Sequence, residues 1–196
     1  MSLRHLLLAG LVAGASTAQA AVVFSDDFNA DTLGLNYTGF VNGWTVSDGT
    51  VDLIGTGFFD LHPGNGNYVD LDGSTGNAGV LTQSLSLTAG VTYTASFSLG
   101  GSNRGDTNLV DVMFGTSLSN FTLLSADPLA TQSISFTPGS DGTYTLSFSN
   151  GGGDNLGAIL DNVMVSTPAI PEPETYALML AGLGLMAAVA RRRRKA

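Results

Sequence analysis

Carboxylates are the most abundant chemically active side chains of this sequence. It has 16 acidic residues, of which fourteen are aspartates before the C-terminal region, and it has no cysteine. The lack of cysteine excludes thiol catalysis, cysteine-ligated zinc and disulfides. His62 is the one histidine beyond residue 20, and no serine lies in a Gly-x-Ser-x-Gly pattern, so serine and zinc hydrolases are poorly supported. We therefore expect a protein that is not an enzyme.

Two glycine-rich segments resemble calcium-binding loops. Residues 70–77 begin like an EF-hand loop, but Gly73 comes one position too early and no glutamate closes the loop. Residues 151–157 resemble a repeat of calcium-binding solenoids, but a single copy cannot stack. We expect both segments to be ordinary turns. Asp70 and Asp72 are then surface-facing residues of an alternating strand and not the paired acids of a glycoside hydrolase.

A glycine-rich loop at residues 55–67 carries the best candidates for sugar binding. Sugar sites combine an exposed aromatic face with amide and carboxylate hydrogen-bond partners. The predicted ligand-binding residues are Phe58, Phe59, Asp60, His62 and Asn65. One of the two phenylalanines is expected to be buried. Trp44, the only tryptophan, precedes a strand and is expected in the core.

Short strands must position these side chains, because large apolar and small polar residues alternate between turn signals every eight to twelve residues. The predicted strands are residues 22–25, 50–54, 68–71, 80–87, 91–99, 109–114, 132–137, 143–149 and 158–165. One face of each strand goes to the core, and the Ser/Thr face goes to water. The pattern predicts an all-β sandwich over residues 21–167, as one domain.

Basic residues lie almost wholly at the two ends of the chain. The formal net charge is −9, and Arg104 is the only basic residue between residues 21 and 190. A domain with this field repels phosphate backbones and attracts divalent cations. The charge pattern therefore predicts no nucleic-acid partner and favours cations or neutral ligands.

The N-terminal segment, residues 1–20, is typical of a secretory signal peptide. Arg4 and His5 precede a short apolar run, and the Ala-Gln-Ala of residues 18–20 is a small-residue cleavage site. A retained membrane anchor would need a longer apolar run. We expect the mature chain to begin at Ala21.

The C-terminal segment has a Pro-Glu-Pro linker over residues 168–175 and an apolar stretch followed by a basic tail over residues 176–196. The prolines impose an extended, accessible peptide. Fifteen apolar residues reach about 22 Å as a helix, a marginal length for a hydrocarbon core of about 30 Å. The terminal cations must stay cytoplasmic. We expect a transmembrane helix that holds the chain transiently in the membrane, and a simple tail anchor is the alternative.

This segment resembles the PEP-CTERM sorting domain of Gram-negative bacteria. The residues that carry the sorting signal are Pro171, Glu172, Pro173, Arg191, Arg192, Arg193 and Arg194. The resemblance implies that an exosortase, a membrane transpeptidase, recognises the Pro-Glu-Pro triplet and cuts near it. It also implies transfer of the domain to the cell surface and an association with exopolysaccharide and biofilm.

The central domain resembles the galactose-binding-like jelly-roll group, in particular its DUF642-type and carbohydrate-binding-module-like members. The landmarks lie at residues 24–28, 43–46, 66–73, 87–93 and 159–163. The resemblance implies eight or nine strands, sugar-binding loops, and first and last strands that lie side by side. That adjacency would gather the ligands of a structural calcium ion, Asp26, Asp27, Asn29 and Asp161. The same residues are equally suited to forming turns and capping a strand.

Taken together, these features predict an exported, non-enzymatic protein of the cell surface or the exopolysaccharide matrix, whose β-sandwich binds carbohydrate. The alternative is a structural or adhesive matrix protein that binds other proteins and no glycan. The predicted partners are exosortase, extracellular polysaccharide and, transiently, the inner membrane.

Overall fold

The computed structural model describes residues 20–169 and 173–193. Within it, Ala21–Pro168 form one compact unit with its own core. The predicted signal peptide up to residue 19 lies outside the described residues, and so do Pro171, Glu172 and Arg194 of the predicted sorting signal.

Eleven strands build this unit. They are β1 (Val22–Asp26), β2 (Thr45–Ser47), β3 (Asp52–Gly55), β4 (Asn67–Asp70), β5 (Val80–Leu87), β6 (Tyr93–Gly100), β7 (Thr107–Phe114), β8 (Ser117–Leu124), β9 (Ala130–Phe136), β10 (Gly142–Asn150) and β11 (Ile159–Ser166). Alternate residues of β6 and β7 are buried, as expected of strands with one face on a core. The predicted all-β sandwich is confirmed.

The strands form two antiparallel sheets. Sheet A has the order β3-β4-β11-β6-β9, with β1 also beside β11, and sheet B has the order β2-β5-β10-β7-β8. β1 and β4 follow one another along the same edge of β11, where Asp26 lies opposite Val163 and Asp70 lies opposite Ile159. The first and last strands therefore lie side by side, as predicted.

Aromatic rings join the two sheets across the core. Phe97 of sheet A meets Phe148 of sheet B edge to face, with ring centroids 5.0 Å apart. Trp44 is 3% exposed, and its centroid lies 6.0 Å from that of Phe148. Edge-to-face aromatic pairs contribute about 0.5–1.5 kcal/mol beyond the area that they bury. The predicted core position of Trp44 is confirmed.

Two strands, β2 and β8, were not predicted. β2 has three residues, which are too few to show the alternation of apolar and polar side chains typical of a strand. β8 runs along the edge of sheet B, and of its eight residues Leu123 alone is buried. Its exposed Ser, Asn and Thr residues therefore made this strand hard to recognise from the sequence, although its pairing with β7 is continuous from Ser117 to Leu124.

The C-terminal helix α1 spans Pro173–Arg193. Proline suits its first position because the missing N–H has no partner there in any helix, and the arginines of its last turn interact favourably with the helix dipole. Among the described residues, no helix combines the length and apolar character needed to cross a membrane. This finding corrects the prediction of a transmembrane helix over residues 176–196. The apolar stretch is only about fifteen residues long, and Glu174 and Arg191 bound it.

Candidate functional site

The outer face of sheet A carries a second, smaller hydrophobic cluster. Its members are Ile54, Phe58, Leu61, Tyr68, Leu129 and Ile159. Because side chains alternate along a strand, Leu53 and Val69 face the main core while their neighbours in β3 and β4 face outward. Residues 56–66, here called the covering loop, supply Phe58 and Leu61 to the cluster. The loop is therefore anchored on the sheet by apolar contacts.

Three of the predicted ligand-binding residues hold the covering loop in place by hydrogen bonds. Asp60 accepts the hydroxyl proton of Tyr68 at 2.9 Å. His62 is buried, and its Nε2 lies 2.7 Å from the carbonyl oxygen of Gly101. The side-chain amide of Asn65 donates to the carbonyl of His62 at 2.8 Å. These contacts, with the packing of Phe58, position the loop.

Phe59 is the predicted ligand-binding residue that faces solvent. Its side chain is 62% exposed, and its φ of 49° is a conformation that bulky residues rarely adopt. Phe59 directly follows a tight turn, in which Gly55 and Phe58 exchange two backbone hydrogen bonds of 2.8 and 2.9 Å. The ring of Phe58 supports the ring of Phe59 edge to face at 4.9 Å. The exposed ring is thus held by the fold.

A cleft of about 190 Å³ lies beside Phe59 on the outer face of sheet A. Leu35, Phe59 and Leu61 form its apolar wall, and Asp52, Asp70, Ser74, Arg104 and Asn155 form its polar wall. The volume is below the range of about 300–1,000 Å³ usual for sites of drug-sized ligands. The cleft therefore suits a small unit that has one apolar face and several polar groups.

An ion pair fixes the polar wall. Arg104 Nη2 lies 2.5 Å from Asp70 Oδ2, and Arg104 Nη1 donates to the carbonyl oxygen of Asn155 at 2.9 Å. Burial raises the pKa of Asp70 to about 7, although Arg104 favours the charged form. Removing one partner of a buried pair costs about 3–5 kcal/mol. The guanidinium is therefore held firmly at the edge of the cleft.

Asp52 is the second carboxylate of the polar wall. It lies directly opposite Asp70 in the pairing of β3 with β4, so both carboxylates are on the outer face of sheet A. Asp52 Oδ1 accepts the backbone N–H of Asn36 at 2.6 Å, and Oδ2 accepts the hydroxyl proton of Ser74 at 2.7 Å. These bonds fix the orientation of the carboxylate.

The prediction that Asp70 and Asp72 face the surface is wrong. Asp70 is 1% exposed and Asp72 is fully buried. Residues 151–158 cover them, and a Cβ on Gly157 would lie 2.2 Å from the backbone nitrogen of Asp72. Burial and, secondly, the charge of Asp154 together raise the pKa of Asp72 to about 6. Neither carboxylate oxygen of Asp72 has a hydrogen-bond partner in the part of the chain that the structure describes.

Two of the predicted calcium ligands make hydrogen bonds within the protein. Asp26 Oδ1 accepts the backbone N–H of Phe28, and Oδ2 accepts the indole N–H of Trp44, both at 2.9 Å. The side-chain oxygen of Asn29 accepts the backbone N–H of Asn67 at 2.9 Å. Asp26 is thus directed at the core, and Asn29 at the start of β4.

Asp161 and Asp27 complete the predicted calcium set. Burial and, to a smaller extent, the charges of Asp27 and Asp26 together raise the pKa of Asp161 to about 7. The carboxylate accepts the backbone and side-chain N–H groups of Asn162 at 2.6 and 2.8 Å. Within residues 20–169 and 173–193, no three His, Asp or Glu side chains converge as a metal site. Calcium binding by these four residues stays a prediction.

Most polar residues of the cleft have no signal in the sequence. Asp52, Ser74 and Asn155 occur in ordinary turn and strand contexts, and their proximity depends on how distant segments pair. Arg104 is the exception, because a lone basic residue in an acidic domain requires a partner. That signal alone could have indicated this part of the molecule.

Solved structures of similar fold include carbohydrate-binding domains. The CBM22-1 xylan-binding domain of Paenibacillus barcinonensis Xyn10C matches with a TM-score of 0.51 and 10% identity over 78% of this chain and 97% of that domain. The CBM22-1-GH10 modules of Clostridium thermocellum xylanase 10B match with a TM-score of 0.47 and 14% identity, over 75% of this chain and 28% of that longer one. The K3 adhesin domain of Lys-gingipain from Porphyromonas gingivalis matches with a TM-score of 0.49 and 14% identity, over 76% of this chain and 99% of that domain. Comparison with curated proteins gave no match.

Family models match both parts of the chain. Residues 169–195 match the PEP-CTERM protein-sorting motif, which is the segment predicted to carry the sorting signal. Residues 26–166 match DUF642, described as a protein of unknown function, and cover almost the whole β-sandwich. The jelly-roll fold and both resemblances are therefore confirmed. The chain belongs to the DUF642 family and carries a PEP-CTERM protein-sorting motif at its C-terminus.

Proposed function

We propose that this protein is exported, is processed by an exosortase at its C-terminal motif, and binds extracellular polysaccharide in the cleft beside Phe59. One observation carries the binding proposal. An exposed phenylalanine, held in a strained conformation, stands next to buried and oriented hydrogen-bonding groups. The exposed ring contributes little to the core, whereas an aromatic face is what a sugar ring stacks on.

The polar wall has the chemistry that sugar hydroxyls need. A hydroxyl group both donates and accepts, and the wall offers carboxylate oxygens of Asp52 together with donors of Arg104. The charge of Arg104 is offset by Asp70, and the chain has a net charge of −9, so anionic ligands are disfavoured. We infer a neutral glycan as the ligand, with one sugar unit in the cleft.

Preorganisation supports binding at this place. Four polar side chains of the wall are already fixed in pairs, Arg104 with Asp70 and Asp52 with Ser74. Groups that are held before binding lose little entropy when a ligand arrives. The xylan-binding domain of similar fold is consistent with a glycan ligand, but at 10% identity that likeness concerns the fold alone.

The binding experiment compares two variants of the purified protein. We expect Phe59→Ala to weaken binding to extracellular polysaccharide at least tenfold in affinity electrophoresis, because the stacking face is lost. Leu124→Ala is the matched control, since Leu124 is 59% exposed on the edge of sheet B. Equal binding by both variants and the native protein would place the site elsewhere. Absence of any glycan binding would favour the structural or adhesive alternative.

Two further measurements test the rest of the proposal. If the protein releases reducing ends from the polysaccharide and Asp70→Asn abolishes that release, the function is hydrolysis of the glycan and not binding alone. Intact-mass analysis of the protein from its native host tests the processing step. We expect the mass to lack the basic tail that includes Arg191, Arg192 and Arg193, and retention of that tail would contradict cleavage at the motif.

A further inference from the structure

Two glycine-rich loops meet over the end of β4. They are the loop after β4 (residues 71–79) and the loop that joins β10 to β11 (residues 151–158). A Cβ on Gly157 would lie 2.2 Å from the nitrogen and 2.8 Å from the Cβ of Asp72. The backbones are therefore in direct contact at this point. The two segments that separately resemble calcium-binding loops form one structural unit.

Asp72 lies inside this unit as an unpaired carboxylate. It is fully buried, and within residues 20–169 and 173–193 both of its oxygens lack a hydrogen-bond partner. The charged groups that influence it are Asp154, Asp52 and Arg104, so acidic groups outnumber basic ones. The two Nη atoms of Arg104 already bond to Asp70 and to a backbone carbonyl. A buried carboxylate in this setting is strongly unfavourable unless a cation compensates it.

We propose that Asp72 and Asp154 bind a calcium ion between these two loops. Calcium takes six to eight oxygen ligands and accepts backbone carbonyls and water beside carboxylates. Glycine-rich loops expose such carbonyls. Gly76 approaches the carbonyl oxygen of Asp154 so closely that a Cβ there would lie 3.0 Å from it. With two carboxylates, the site depends on carbonyls and water for its other ligands.

This site is separate from the calcium set predicted at Asp26, Asp27, Asn29 and Asp161. It also borders the cleft, because Ser74 lies in the loop after β4 and Asn155 lies in the loop before β11, and both line the polar wall. A bound ion would therefore order that wall. Ion binding does not depend on the sugar proposal and is tested without any glycan.

The test titrates Ca²⁺ alone into chelator-treated protein, by isothermal calorimetry and by thermal melting. We expect one ion per chain. At a hundredfold excess over the dissociation constant, the melting midpoint should rise by about 5–10 °C. Asp72→Asn should remove both effects. In chelator, the melting midpoint of this variant should equal or exceed that of the native protein, because the unpaired buried charge is gone. Such a midpoint shows that the variant folds.

Asp31→Asn is the matched control, since Asp31 is also a buried carboxylate with an oxygen that lacks a partner among the described residues, and it belongs to neither calcium set. It should bind calcium as the native protein does. The proposal is overturned if the native protein shows neither heat nor a change of midpoint. It is equally overturned if Asp72→Asn still binds, or if Asp161→Asn abolishes binding while Asp72→Asn does not. The Nε of Arg104 also lacks a partner among the described residues. If a water molecule bridges Arg104 and Asp72 in place of the ion, the native protein shows neither heat nor a change of midpoint.

Discussion

Replacing Arg104 with Met would leave Asp70 buried without its counter-ion. Asp70 is 1% exposed, and the two side chains are 2.5 Å apart. Loss of one partner from a buried ion pair costs about 3–5 kcal/mol. The side chain of Arg104 is 27% exposed, so water reaches part of the site. We therefore expect the lower end, about 3 kcal/mol of unfolding free energy at pH 8.

The loss should depend on pH in a defined direction. The pKa of Asp70 is about 7 in the folded protein, above the ordinary value of 3.8, and it should rise further without Arg104. A folded-state pKa above the unfolded one means that the folded state binds more protons. Stability then falls as pH rises from about 4 through 7. The deficit of Arg104→Met should therefore be largest at pH 8 and much smaller at pH 5, where Asp70 is protonated.

Thermal unfolding in chelator at pH 5 and pH 8 measures both effects. For a domain of this size, about 3 kcal/mol lowers the melting midpoint by about 6–12 °C. The double variant Arg104→Met/Asp70→Asn should recover most of the loss, because no charge is left unpaired. Asp111→Asn, at an exposed aspartate, should change little. Equal losses at the two pH values, or a double variant as unstable as the single one, would refute the role assigned to this pair.

Three other substitutions test particular contacts. Burial raises the pKa of Asp161 to about 7, so Asp161→Asn should be more stable than the native protein at pH 8 and similar to it at pH 5 in chelator, as shown by melting curves. Trp44→Phe removes the N–H that Asp26 accepts and should cost about 2–4 kcal/mol in urea unfolding; a cost below 1 kcal/mol would mean that the bond is unimportant. Gly157→Ala should lower the melting midpoint strongly because its Cβ has no room, whereas Gly139→Ala, with nothing within 4 Å, should not.

The sandwich could be predicted because its long strands have one clear face. Ala95, Phe97 and Leu99 alternate with Thr and Ser along β6, and the structure buries them as the pattern requires. The sorting motif could be predicted for a different reason, since its Pro-Glu-Pro triplet and arginine cluster are local and contiguous. Both signals lie within a few residues and need no knowledge of distant pairing.

The candidate site could not be predicted, because it depends on contacts between distant segments. Asp52 meets Asp70 only through the register of β3 and β4, and Asp72 is buried by a loop some eighty residues later. The outward direction of Phe59 follows from a left-handed backbone that its sequence does not favour. Local composition identified the covering loop, but it could not separate Phe59 from the neighbours that hold the loop in place.

The position of β11 has a consequence for how the chain acquires its structure. This strand is the last in sequence, yet it lies inside sheet A, between β1 and β4 on one side and β6 on the other. Before residues 159–166 are available, sheet A exists as separate pieces: β1 alone, the β3–β4 hairpin, and the β6–β9 pair. A polypeptide that emerges from a narrow passage N-terminus first can therefore complete sheet B once β10 has emerged, whereas sheet A stays incomplete until β11, the final strand, follows.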